Sequence, residues 1–158
     1  MDTIIKCFID GSCIHNGRPS AAAGFAVMFP DYPDYNISGR LDGLQTNNRA
    51  EYTAFIKALE QTEKIDPTRL RLLEVCTDSM LLLNSVTKWM PLWKKKGWKK
   101  GTGKTVLNLD LLQQIDAALM RRRVSWKHVK AHTGKSDFNS VYNAKVDAAA
   151  RDTVVVKK

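Results

Sequence analysis

Two aspartates in the sequence occupy the same kind of position. Each ends an apolar, strand-like run and precedes small residues, in Ile9-Asp10-Gly11-Ser12 and Thr77-Asp78-Ser79. Sites in open α/β sheets gather at the carboxyl ends of strands, so Asp10 and Asp78 are candidates for one shared site. Singly, an aspartate after a strand is more often a turn or cap residue. Glu51, in the first turn of a helical segment, and Asp147, between Val146 and the alanines at 148–150, could as cheaply face water. If these acids do meet, they repel one another and resist ionisation unless cations join them. A second concentration of chemistry-bearing side chains is basic. Residues 88–104 pack Trp89, Trp93 and Trp98 among seven lysines with no acid.

The elements that must position these residues are legible from periodicity. Residues 4–10 and 24–29 read as consecutive strands, with a weaker third at 35–41 after the Pro30 to Pro33 turn. Residues 47–62 switch to helical spacing, with Ala50, Ala54, Ile56 and Leu59 for a buried face. Pro67 closes that region before a strand at 70–77, and Ser79 is a reasonable N-cap for the next helix. Residues 107–120 return to helical spacing, 124–130 read as a strand and 139–152 as a closing helix. The order β-β-β-α-β-α-α-β-α predicts an α/β fold, a mixed sheet covered by helices.

The 158 residues suit one domain, expected over 1–158, and 44% hydrophobic with 26% charged residues is ordinary for a soluble fold. The longest apolar stretch, 21–30, is far short of the roughly 20 residues of a membrane span. The opening residues lack the pattern of a secretory signal. Cys7, Cys13 and Cys76 show no metal-ligand spacing and leave an odd thiol, which predicts a reduced, intracellular protein, cytoplasmic or nuclear. The net charge of +9 favours a polyanionic partner. We expect a soluble monomer with no membrane association.

Read together, six strings become specific. The two aspartate motifs, Thr46-Asn47-Asn48-Arg49-Ala50-Glu51, Trp93-Lys94-Lys95-Lys96-Gly97-Trp98, Val129-Lys130-Ala131-His132-Thr133-Gly134 and the segment from Asn143 to Asp147 occur in order. The chain thereby resembles type 1 ribonuclease H, both the bacterial enzymes and the catalytic domain of the eukaryotic ones, from about Ile4 to Asp152.

The resemblance implies a five-stranded mixed sheet with helices on both faces. It also implies an endonuclease that cuts the RNA strand of RNA·DNA hybrids and leaves 5′-phosphate and 3′-hydroxyl ends. Its motifs make Asp10, Glu51, Asp78 and Asp147 the ligands of two Mg²⁺ ions, with Mn²⁺ an acceptable substitute. Hard divalent ions take oxygen ligands, and a pair about 4 Å apart can activate water and steady a leaving oxygen. Ser12 and Ser79 then need no catalytic role. His132 falls at the position of a mobile proton shuttle, although by spacing alone a loop histidine is usually a surface residue. His15 and His128 match no catalytic position.

For substrate, the resemblance places Cys13 (through its backbone), Asn16, Asn47, Asn48 and Met80 at the minor groove and the RNA strand. Thr46 and Asn108 fall on a phosphate of the DNA strand. An arginine two places before that threonine is replaced here by Leu44, leaving Arg40 and Arg49 as the residues that could compensate. The segment at about 88–104 matches a basic handle, with Lys94, Lys95, Lys96, Lys99 and Lys100 as its cations and Trp89 and Trp93 as a platform for deoxyribose. Trp98, and on a blander reading all three tryptophans, simply pack the helix beneath. Two rivals share the broad fold. A catalytically silent hybrid-binding module gains nothing from four acids, and integrase- or resolvase-like nucleases lack both the handle and the Asn47-Asn48 pair.

Overall fold

β1 (Ile4–Ile14) buries Ile5 and the run from Cys7 to Asp10, side chains of both faces, as a central strand covered on both sides must. The structure, a computed structural model, describes residues 3–155; positions 1–2 and 156–158 of the expected span lie outside them. On one side β1 pairs antiparallel with β2 (Ala22–Met28), which pairs antiparallel with β3 (Ile37–Arg40). On the other it runs parallel to β4 (Leu72–Thr77), and β4 parallel to β5 (Val124–His128). The order β3-β2-β1-β4-β5 is the expected five-stranded mixed sheet.

All five strands shift from their expected bounds, β2, β4 and β5 by one or two residues at one or both ends, β1 and β3 with a structural cause. β1 does not stop at Asp10. Its parallel ladder with β4 ends at the Phe8–Cys76 pair, but its hairpin with β2 continues to the Ile14–Ala22 pair. Asp10 is therefore mid-strand, two residues beyond the end of the parallel ladder. The third strand is shorter than 35–41 because Pro33–Tyr35 forms a 3₁₀ turn, whose proline fixes the backbone out of the extended region.

The helices cover both faces. α1 (Asn47–Ile65) is capped by Thr46, whose hydroxyl accepts from the Arg49 amide at 3.1 Å, and it runs beyond the expected end at Thr62. Ser79 caps α2 (Met80–Asn84), as its position predicts; the helix passes through a π turn (Ser85–Trp89) into α3 (Met90–Lys95). α4 (Leu109–Leu119) and α5 (Phe138–Asp152) complete the set.

Side-chain alternation along β1 decides which helix each residue meets. Ile5, Cys7 and Ile9 enter the larger core with Phe55 and Leu59 of α1 and Leu112 and Ile115 of α4. Phe8, with Ala26 and Cys76, enters a smaller core closed by Val146 and Ala150 of α5. Cys7 and Cys76 thus belong to opposite faces, and all three cysteines are free. No described helix is long and apolar enough to cross a membrane.

At the starting ends of the parallel strands a buried ion pair ties the α1–β4 and α4–β5 connections together. Arg122 donates to the Asp66 carboxylate at 2.9 Å, to the Asp66 carbonyl at 2.7 Å and to the Arg71 carbonyl at 3.0 Å. Bonds from the Thr68 hydroxyl, Arg122 and the Arg71 amide hold the Asp66 carboxyl well below the usual carboxylate range.

Candidate active site

The opposite ends of those strands collect the acids. Oxygens of Asp10, Glu51 and Asp78 lie within 4.8 Å of one another. Asp10 comes from β1, Asp78 from the residue after β4, and Glu51 from the first turns of α1. What lets α1 approach is Gly11. A Cβ there would sit 2.5 Å from the Ala50 carbonyl carbon and 2.6 Å from the Glu51 nitrogen, closer than any side chain tolerates. In return the Gly11 amide donates to Glu51 Oε1 at 3.2 Å.

Burial sets the electrostatics. Asp10 is 4% and Glu51 6% exposed. Loss of water, then the charges of Glu51 and Asp78, push the Asp10 carboxyl up to about 10. Burial and Asp78 push Glu51 up to about 8, partly offset by bonds from the Gly11 amide and Asp10. Within this pair Asp10 keeps the proton more strongly, because Glu51 has those two donors. Burial also raises Asp78, against a bond from Asn143 Nδ2 at 3.4 Å and the nearby His132 and His128. Glu51 Oε2 is buried with no hydrogen-bond partner. Crowded hard oxygens, each driven toward protonation and one unsatisfied, suit a divalent cation of the Mg²⁺ class.

Asp147, the fourth predicted acid, approaches from α5. It adds to the upward push on the Asp10 carboxyl but falls outside the compact trio, and its Oδ2 is 3.0 Å from Arg151 Nη2. His132 lies in the loop between β5 and α5 in the left-handed region, φ 54°. With Asp147, Asn143, Lys130, Lys135 and Lys145 it lines a cleft of about 510 Å³. A second cavity of about 480 Å³, between α1 and α4, contains none of the predicted site residues.

The predicted substrate contacts fall into groups. Asn16 Oδ1 accepts from the Asn47 amide at 3.1 Å and lies 3.7 Å from Cys13 Sγ, which brings Cys13, Asn16 and Asn47 together beside Asn48. Met80 opens α2 next to Asp78 and is 45% exposed. Near Thr46, Arg49 Nη1 donates to Asn108 Oδ1 at 3.3 Å and grips Asp110 with two bonds of 2.9 and 2.7 Å. Arg40 instead bonds to the Ala23 carbonyl and Gln45. Of the two arginines that could stand in for one at Leu44, Arg49 is therefore the one beside Asn108.

In the handle, Trp89 and Trp93 lie with ring centroids 6.1 Å apart. Trp89 is exposed, while Trp93 and Trp98 pack against the larger core. Lys94 is not a free cation: its Nζ is 2.9 Å from Asp116 of α4. Lys95 and Lys96 follow it at the end of α3, and Lys99 pairs with Thr105 across the loop that holds Lys100. Sequence reasoning passed over Gly11 as a close-approach residue, Asn143 as a partner of Asp78, and the placing of His128 Nε2, 3.3 Å from the Asp78 carbonyl oxygen. It also passed over the ion pairs of Asp110 with Arg49 and of Arg151 with Asp147. Only Gly11 left a signal, its position beside Asp10.

A mixed five-stranded sheet with an acid cluster beyond the end of its parallel ladder defines an α/β fold whose site is compatible with a divalent metal ion. The RNase H family model matches residues 2–155. Ribonuclease HI of Xylella fastidiosa (strain Temecula1) is 36% identical, the match covering 98% of this chain and 95% of that protein. Ribonuclease H1 of Rattus norvegicus is 37% identical over 96% of this chain but only 50% of its own length, so the chain spans about half of that mammalian relative. Among solved structures, the PFV RNase H domain superposes with a TM-score of 0.75 at 24% identity, covering 95% and 93% of the two chains. LC9-RNase H1 gives 0.70 at 25% identity, covering 98% and 73%. The chain belongs to the RNase H family.

Proposed function

We propose that this chain is an endonuclease that hydrolyses the RNA strand of RNA·DNA hybrids, leaving 5′-phosphate and 3′-hydroxyl ends. The observation that carries the reading is the trio of buried Asp10, buried Glu51 and half-buried Asp78, gathered around an unsatisfied Glu51 oxygen, in a chain of this family. Asp10, Glu51, Asp78 and Asp147 would hold two Mg²⁺ ions, or Mn²⁺ in their place. Such ions activate the attacking water and neutralise charge on the departing oxygen.

The remaining work belongs to the chain's own residues. His132, exposed on its loop, moves a proton at the edge of the acid site. Cys13, Asn16, Asn47, Asn48 and Met80 face the RNA strand, whose 2′-hydroxyls distinguish it from DNA. Thr46 and Asn108 take a phosphate of the DNA strand, with Arg49 holding Asn108 in place while its own charge is paired with Asp110. Trp89 and Trp93 give deoxyribose an apolar platform, and the handle lysines add charge along the backbone. We further propose that residues 1–158 act as one catalytic domain, as a monomer, inside the cell.

The test is cleavage of a labelled RNA·DNA hybrid and of matched duplex DNA, with Mg²⁺ or with EDTA. Cleavage of the hybrid's RNA strand alone, and only with Mg²⁺, is expected; cutting of duplex DNA would move the chain to another nuclease class. In the same assay His132→Ala should lower kcat by about one to two orders of magnitude with KM nearly unchanged, at the low end of the roughly 10²- to 10⁴-fold worth of a proton-transfer group because water can carry the proton more slowly. The deficit should shrink at high pH, where hydroxide is plentiful. A changed KM with unaltered kcat would make His132 a substrate contact instead.

A further inference from the structure

Asp147 differs from the other predicted carboxylates because it already has a cation. Its Oδ2 lies 3.0 Å from Nη2 of Arg151, one helical turn further along α5. Asp10, Glu51 and Asp78 form no ion pair among the described residues and are gathered within 4.8 Å without it. The Arg151 side chain is 61% exposed, against 18% for Asp147, and it makes no other ion pair among the described residues. It also lines the cleft shared with Lys130, Lys135 and Lys145, so the guanidinium has solvated space beside it.

We propose that Arg151 is a placeholder counter-ion for Asp147. It neutralises that carboxylate while no metal is bound, and it gives the carboxylate up when a divalent ion takes Asp147 as a ligand. The inference rests on the reading of Asp147 as a metal ligand. The physical ground is competition: a carboxylate paired with a guanidinium has less charge to offer a small cation, and two cations crowded on one carboxylate repel. Binding there is then a displacement, and Arg151 sets how readily it happens. An ion pair this exposed is worth at most a factor of about five in an equilibrium constant, so Arg151 tunes the ion's affinity and does not block it. It is a positioning residue, acting through Asp147.

The test is a double-mutant cycle read by calorimetric titration with MgCl₂ alone, without nucleic acid. Arg151→Gln should bind Mg²⁺ about two- to fivefold more tightly than the parent chain, and Arg151→Lys should fall between. In an Asp147→Asn background, Arg151→Gln should change nothing, because the contested carboxylate is gone. Equal tightening in both backgrounds would reduce Arg151 to a general positive field and overturn the proposal. No tightening in either, with a lowered Tm, would make it a prop for the end of α5 and also overturn it. Because hybrid cleavage is not the readout, a failed nuclease assay would leave these isotherms interpretable.

Discussion

At the scale of single residues, the acid site trades stability for readiness to hold charge. Asp10 has a folded-state pKa of about 10 against an ordinary value near 3.8. A carboxyl raised in this way binds its proton more tightly in the folded than in the unfolded chain. The folded state therefore loses stability as pH rises from about 4 towards 10. Glu51, raised to about 8, acts in the same sense over a narrower window. Asp10→Asn should remove cleavage entirely. It should also raise the Tm of the metal-free protein at pH 8 by at least about 3 °C, a shift of roughly 1 kcal/mol for a chain of this size. The gain should fade towards pH 4, where the carboxyl of the unfolded chain is protonated as well and folding no longer has to take up a proton. Thermal melts in EDTA across that range check it, and equal Tm values at pH 8 would mean that Asp10 is not strained by its neighbours.

At the scale of elements, the approach of α1 to β1 is the critical packing event. Glu51 reaches the site only because Gly11 has no side chain to hold the Ala50–Glu51 backbone away. Gly11→Ala should force α1 outward, destabilising the fold by about 1–3 kcal/mol as overpacking does. It should lower activity beyond what that loss explains, because it displaces Glu51 from Asp10. Denaturant unfolding and kcat measured well below the transition separate the two effects. This contact also marks the limit of what the sequence revealed. Asp10 and Asp78 were readable because strand ends announce themselves through apolar runs followed by small residues. The continuation of β1 to Ile14 was not, since Gly11, Ser12 and Cys13 extend only because β2 pairs with them. The ion pairs of Lys94 with Asp116 and Arg49 with Asp110 join elements far apart in sequence, and such pairs follow no periodicity.

At the scale of the whole molecule, a net charge of +9 draws any polyanion, so affinity alone says little about which surface is used. The salt dependence of binding says more. If Lys95 and Lys96 each meet a phosphate, replacing both with Gln should flatten the slope of log affinity against log salt by about two units. Adding Lys94→Gln should contribute less than either, because Asp116 already neutralises that ammonium. Fluorescence anisotropy on a hybrid in EDTA measures this, and an unchanged slope would leave the end of α3 in bulk solvent.

The smaller core has a further consequence for synthesis. Phe8, Ala26 and Cys76 emerge early, but Val146 and Ala150, which cover them, belong to the last helix in chain order. Until α5 clears the ribosome, one face of the sheet lies open and Asp147 is not yet delivered to the site. The growing chain thus passes through a stage that is sticky and lacks its fourth carboxylate, and a single docking event ends both conditions.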